Sequence, residues 1–134
     1  MEPFILTDGL LVGHEQIDGE HAELVGILND CIAIINAGGG VVDFRPRLND
    51  LNESLRRHVR NEEALMADLG YEIAAAEHNY HQDGMARLAT LCLHLDEGQD
   101  VHEFIADLKH LLVVTFLMSD MGLKAFIPEL RKRP

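Results

Sequence analysis

An all-α chain folded as an up-down-up-down antiparallel four-helix bundle, with an irregular N-terminal arm, is what this sequence predicts. Three observations predict it. Apolar residues recur at steps of three and four through four separate stretches, the spacing of one helix face. Glycine or proline punctuates the chain between those stretches. No segment alternates with period two for long enough to make a convincing strand. Short connections make consecutive helices antiparallel, and sites in such bundles are built in the core from facing helices.

Residues 1 to 17 read as the arm. The first helix is expected over residues 18 to 37, with the stripe Leu24, Val25, Leu28, Cys31, Ile32, Ile35 and a stop at Gly38-Gly39-Gly40. His21 continues that stripe toward the N-terminus. The second is expected from Asp43, with Pro46 tolerable in its first turn, to Gly70. The third spans residues 73 to 97, and Gly98 ends it. Asp100 is a good N-cap for the fourth, which is expected to reach Lys124, short of Pro128.

The seam of the second helix reads Leu48, Leu51, Leu55, His58, Glu62, Leu65, Leu69. A histidine and a carboxylate thus occupy consecutive core positions. An ionised carboxylate buried without a partner costs several kcal/mol or more. A metal ion is the simplest neutralising partner, because imidazole and carboxylate are both good ligands. The third helix repeats the pattern with Glu77, His81, Gly84, Leu88, Leu91, Leu95. The fourth carries Val101, Phe104, Leu108, Leu111, Thr115, Met118, Gly122, with Asp120 able to reach the same interior. Any one of these polar residues alone is more often a hydrogen-bonded core residue than a ligand. Two His/Glu pairs at helical spacing plus His21 weaken that reading in so small a bundle.

Length and composition fit one compact domain: 134 residues, 47% of them apolar. The formal net charge of −12 argues against nucleic-acid binding and against docking on anionic lipid. The basic cluster at Arg131, Lys132 and Arg133 reads as a solvated tail or the start of a linker. There is no signal-peptide pattern, and the longest apolar run, Leu111 to Met118, is far short of the ~20 residues that span a bilayer. Cys31 and Cys92 show no metal or redox spacing and read as buried free thiols. Together these point to a soluble protein of a reducing cytoplasm.

The stretch VGHEQIDGEH resembles the helix-A signature of the hemerythrin family, Ile-Asp-x-x-His, through Ile17, Asp18 and His21. HVRNEEALM is similar to the family's His-x-x-x-Glu-Glu-x-x-Met, through His58, Glu62, Glu63 and Met66. Gly70-Tyr71 matches the turn that follows, and Asp120 the aspartate of the helix-D motif His-x-x-x-x-Asp. The resemblance implies two non-haem irons, oxo- or hydroxo- and carboxylate-bridged, held by five histidines, a glutamate and an aspartate. It implies dioxygen binding at one iron with an open position. Carried over, His21 and His58 would hold that iron, and Glu62 and Asp120 would bridge.

Two departures fall on the other iron. The family spacing puts a His-x-x-x-His pair at positions 77 and 81, which here are Glu77 and His81. The helix-D histidine falls on Thr115. That iron would keep His81, Glu77, the bridges and solvent. His78 could replace Glu77 after a small helix rotation, but the seam favours Glu77. His110 points away, and His14, His94 and His102 match no motif and default to exposed or capping roles.

More oxygen ligands favour the ferric state and lower the reduction potential. The expectation is a centre that reacts with oxygen or peroxide and autoxidises readily. That suits a redox or oxygen sensor, or a weak peroxidase-like activity, better than a reversible oxygen carrier. Leu28, Leu111 and Met118 are expected to line its pocket. A mononuclear or zinc-substituted site and a metal-free structural bundle are the competing readings. A ferritin-like oxidase is disfavoured, since only Asp18-x-x-His21 has the carboxylate-x-x-His spacing.

Overall fold

The computed structural model describes residues 1–68, 74–118 and 120, with only the backbone of residues 74–77. Leu69, Gly70, Tyr71, Gly122, Lys124, Pro128, the basic cluster and the side chain of Glu77 lie outside the described residues. Four helices form the bundle: α1 (Glu15–Asn36), α2 (Val41–Asp68), α3 (Ala74–Asp96) and α4 (Val101–His110), the last running on into a π-helical segment, Leu111–Leu117. There is no strand among the described residues. Each helix packs on the next, and α1 also meets α4, which closes the bundle.

Helix α1 begins at Glu15, three residues before the expected start at Asp18. The reason is His14, whose Nδ1 accepts a hydrogen bond from the backbone N–H of Ile17 and so caps the helix. Asp18 is therefore free for another task. Its carboxylate accepts from the N–H groups of Val12 (2.8 Å) and Gly13 (3.1 Å) and ties the arm to the helix. The arm is irregular but ordered, with one 3-10 turn at Asp8–Leu10. It runs back along α1 because two asparagines two helical turns apart act as side-chain ladders. Asn29 exchanges two hydrogen bonds with the backbone of Phe4, both 2.8 Å, and Asn36 does the same with Met1, both 2.7 Å.

The α1 stripe is buried as the spacing requires, from Ile17 through Ile35. The chain leaves α1 through Gly38, whose positive φ of 91° suits only glycine well. Helix α2 starts two residues earlier than expected, which places Pro46 in its second turn. The seam of α2 ends on Met66, 1% exposed, while Leu65 is only half-buried. Asp100 caps α4 as expected, accepting from the N–H groups of His102 (3.1 Å) and Glu103 (3.2 Å).

The largest departure is in the last helix. A regular α-helix was the expectation; the backbone instead widens, and Met118 N–H donates to the carbonyl of Val113, five residues back, at 2.8 Å. Turns of this type are rare and are found frequently at functional sites. The change of period re-deals the core positions: Leu111, Leu112, Thr115, Phe116 and Leu117 are buried. Met118, expected on the seam and in the pocket lining, is 54% exposed. Leu28 and Leu111 are buried as expected.

Gly84 makes the close approach of the π segment to α3 feasible. A Cβ there would lie 2.6 Å from Phe116 Cζ and 3.0 Å from Thr115 Cγ2.

Candidate metal centre

The polar core residues come from different parts of the bundle and meet at the same end of it. His21 belongs to α1, His58 and Glu62 to α2, His81 to α3, and Asp120 lies just beyond the π segment. All five are buried, none more than 2% exposed. His58 and Glu62 stand one turn apart on α2, so their side chains reach the interior together.

The atoms converge tightly. Asp120 Oδ2 lies 2.6 Å from His21 Nε2 and 2.9 Å from His58 Nε2, and the two imidazole nitrogens are 3.2 Å apart. Glu62 Oε2 is 3.0 Å from His58 Nε2, and its Oε1 is 3.5 Å from His81 Nε2. His21, His58, Glu62 and Asp120 each offer a ligand atom, all within 4.8 Å of one another. Neither oxygen of Glu62 accepts a hydrogen bond of good geometry among the described residues. A buried carboxylate left this way requires an explanation, and a cation is one.

The outer side of His58 decides its tautomer. Its Nδ1 lies 2.8 Å from the carboxylate of Glu20, which can only accept, so Nδ1 carries the hydrogen. Asn61 donates to the other Glu20 oxygen at 2.5 Å and holds that carboxylate in place. A neutral His58 then presents a bare Nε2 to the cluster. Two Nε2–H groups aimed at one oxygen at 3.2 Å separation would repel each other; a cation among the three lone pairs removes the conflict. The donor set of imidazole and carboxylate suits iron or zinc.

Charge is already paired without an ion. Burial opposes a proton on His58, but the Asp120 and Glu62 carboxylates beside it prevail and push it up to about 10. Burial would likewise raise Asp120, yet His21 and His58 outweigh it and hold the carboxyl well below the usual range. Glu62 is raised, chiefly by burial, against the opposing pull of the neighbouring His58 and His81 imidazoles. His81 is raised because Glu62 overcomes the cost of burial.

The remaining residues sort cleanly. Thr115 is buried at 4% exposure, and Phe116 beside it stacks on the His81 ring with centroids 6.2 Å apart. His78 is exposed and bonds Glu63 Oε1 at 2.5 Å, so it faces away from the cluster. His94, His102 and His110 are exposed, and His14 is the α1 cap. Glu20 and Asn61 were missed by sequence reasoning. The available signal was Asn61, one turn after His58 and therefore on its side of α2.

Comparison with known proteins agrees with this geometry. The chain is 30% identical over 97 residues to myohemerythrin-1 of Phascolopsis gouldii, covering 72% of this chain and 76% of that one. The chain belongs to the hemerythrin family. Hemerythrins are non-haem iron, oxygen-binding proteins. No family model matches the chain, and no solved structure does. The buried cluster of His21, His58, Glu62 and Asp120, which could hold a metal ion, is consistent with membership of a non-haem iron family. No described helix is long and apolar enough to cross a membrane.

Proposed function

We propose that this hemerythrin-family domain holds a pair of non-haem irons and acts as an oxygen- or peroxide-responsive redox sensor that autoxidises readily. His21 and His58 would hold one iron, Glu62 and Asp120 would be shared between the two, and His81, with Glu77 as the family resemblance implies, would hold the second. The observation that carries the reading is Thr115. It is buried beside Phe116 and against Gly84, at the position where the family resemblance calls for a histidine. An alcohol there would leave the second position poorer in imidazole, and a glutamate at 77, where the resemblance calls for a histidine, would make it richer in carboxylate.

The iron pair, when bound, supplies the electrons that reduce dioxygen or peroxide. The chain does the rest. Glu20 and Asn61 fix the His58 tautomer and ring angle. Glu62 and Asp120 supply negative charge that favours the oxidised form. Leu28, Leu111, Phe116 and Leu117, all buried, exclude bulk water from the bundle interior. The product is a redox change in a domain able to report to a fused or separate signalling partner. A reducing cytoplasm fits Cys31 and Cys92, which are both free thiols.

The test is the iron count and optical spectrum of the purified protein, taken oxidised, reduced anaerobically, and after readmission of air. The reading expects two irons per chain and prompt, irreversible reoxidation. Uptake and intact release of oxygen over repeated pressure cycles would replace it with a carrier. Sustained turnover of peroxide with a reducing co-substrate would replace it with a peroxidase. One metal per chain would make the site mononuclear.

A further inference from the structure

A second concave feature lies between α2 and α3, on the outside of the bundle. It is a cleft of about 440 Å³ lined by Arg56, Val59, Arg60, Glu63, His78, Gln82 and Met85. Its size falls within the range of small-molecule sites, roughly 300–1,000 Å³. The walls divide by chemistry: Val59 and Met85 are apolar, while Arg56, Arg60 and Gln82 are exposed polar groups.

The two arginines are the unusual part. The chain has 23 acidic residues against 11 basic ones, so carboxylates able to pair a surface guanidinium are plentiful. Arg45 pairs with Asp96. Arg47 holds Asp30 and Asp50, and Arg57 grips both oxygens of Glu23. Arg56, Arg60 and Arg87 form no ion pair among the described residues, and of these Arg56 and Arg60 line this cleft together. They stand one helical turn apart, where like charges destabilise a helix by a few tenths of a kcal/mol. The carboxylate lining the cleft, Glu63, is engaged by His78. Two adjacent, uncompensated guanidiniums beside a small apolar wall form a fork for a doubly charged oxyanion.

We propose that this cleft binds a small phosphate-bearing organic molecule. Its phosphate lies across Arg56 and Arg60, Gln82 donates from α3, and its apolar body rests on Val59 and Met85. The inference stands apart from the metal centre and does not depend on what that centre does.

Phenyl phosphate and inorganic phosphate are suitable probes, titrated calorimetrically into the iron-loaded protein. Phenyl phosphate is expected to saturate at one per chain and to bind more tightly than inorganic phosphate. The double variant Arg56→Gln/Arg60→Gln is expected to weaken it at least tenfold. Arg57→Gln removes the same kind of charge one residue away, on the Glu23 side, and is expected to bind as the parent does. Circular dichroism checks that each variant is folded; all three arginines are exposed, so folding is expected to survive. Four results overturn the proposal: no saturable binding, equal affinity for the two probes, equal weakening by Arg57→Gln, or binding that persists in the double variant.

Discussion

Glu20 acts on the centre without reaching it. Its carboxylate holds His58 Nδ1, and Asn61 holds Glu20. Outer-shell partners of this kind change metal affinity by roughly 10–100-fold when removed. Glu20→Ala is expected to weaken metal retention by about that range, with Glu20→Gln in between because the amide oxygen still accepts. Chelator competition measures both. Retention equal to the parent in both variants would show that the His58 tautomer needs no outside support. The pH dependence has a definite sign. His58 in the metal-free protein is pushed from its ordinary 6.5 up to about 10. Its contribution to metal-free stability is therefore complete below pH 6.5 and lost as pH rises through about 10. A metal must displace the same proton, so loading at neutral pH is expected to release acid, and apparent affinity to rise with pH. An indicator dye in weak buffer reads the release directly. Thr115→His restores an imidazole to the π segment and is expected to slow autoxidation of the reduced protein, followed by absorbance after air is admitted. An unchanged rate would remove Thr115 from the account of the redox behaviour. At this scale the sequence was most legible where polarity contradicted position. His21, His58, Glu62 and His81 were readable because each sits where an apolar residue is expected, and Asp120 because it matches the helix-D aspartate of the family resemblance. Glu20 was not, because a carboxylate at a helix edge looks like any solvated charge.

Helix boundaries and faces follow the same logic of local against tertiary signal. The α1 and α3 stripes and the Asp100 cap were readable from spacing and capping chemistry alone. The π segment was not. Leu111–Leu117 reads LLVVTFL, apolar on nearly every side, so a period of 3.6 and a wider one bury equally plausible sets. What selects the wider turn is tertiary: Phe116 packs onto His81 and closes over Gly84. Glycine substitutions test this with opposite signs. Gly84→Ala forces Phe116 away from a contact of 2.6 Å, and overpacking of a buried site costs about 1–3 kcal/mol. Gly26 is exposed on α1, and a Cβ there meets nothing within 4 Å. Gly26→Ala is expected to stabilise by roughly 0.4–1 kcal/mol, as alanine does at a helical site that admits it. Urea denaturation midpoints compare the two. A neutral Gly84→Ala would mean that the π segment does not depend on the close approach.

The whole molecule divides into a dry apolar end and a charged one. At the first, Phe44 and Phe104 stack with centroids 6.2 Å apart among the buried leucines and isoleucines. At the other, His21, His58, Glu62, His81 and Asp120 take the places that leucines would otherwise fill. The apolar end secures the fold on its own terms, so the metal-free chain is expected to remain helical. The charged end is where a bound ion adds stability, since it binds the folded arrangement and not the dispersed ligands of the unfolded chain. An ion present at a thousandfold over its dissociation constant contributes about 4 kcal/mol. For a chain of this size each kcal/mol moves the melting temperature by about 3–4 °C, so chelation is expected to lower it by roughly 12–16 °C. Thermal melts followed by circular dichroism, with and without chelator, measure the shift, and readdition of iron should reverse it. His58→Ala removes a donor shared by the whole cluster and should abolish the shift. A melting temperature indifferent to chelation in the parent would mean that the paired protons of His58 and Asp120 already satisfy the buried cluster, and that the bundle has kept its polar core for structure alone.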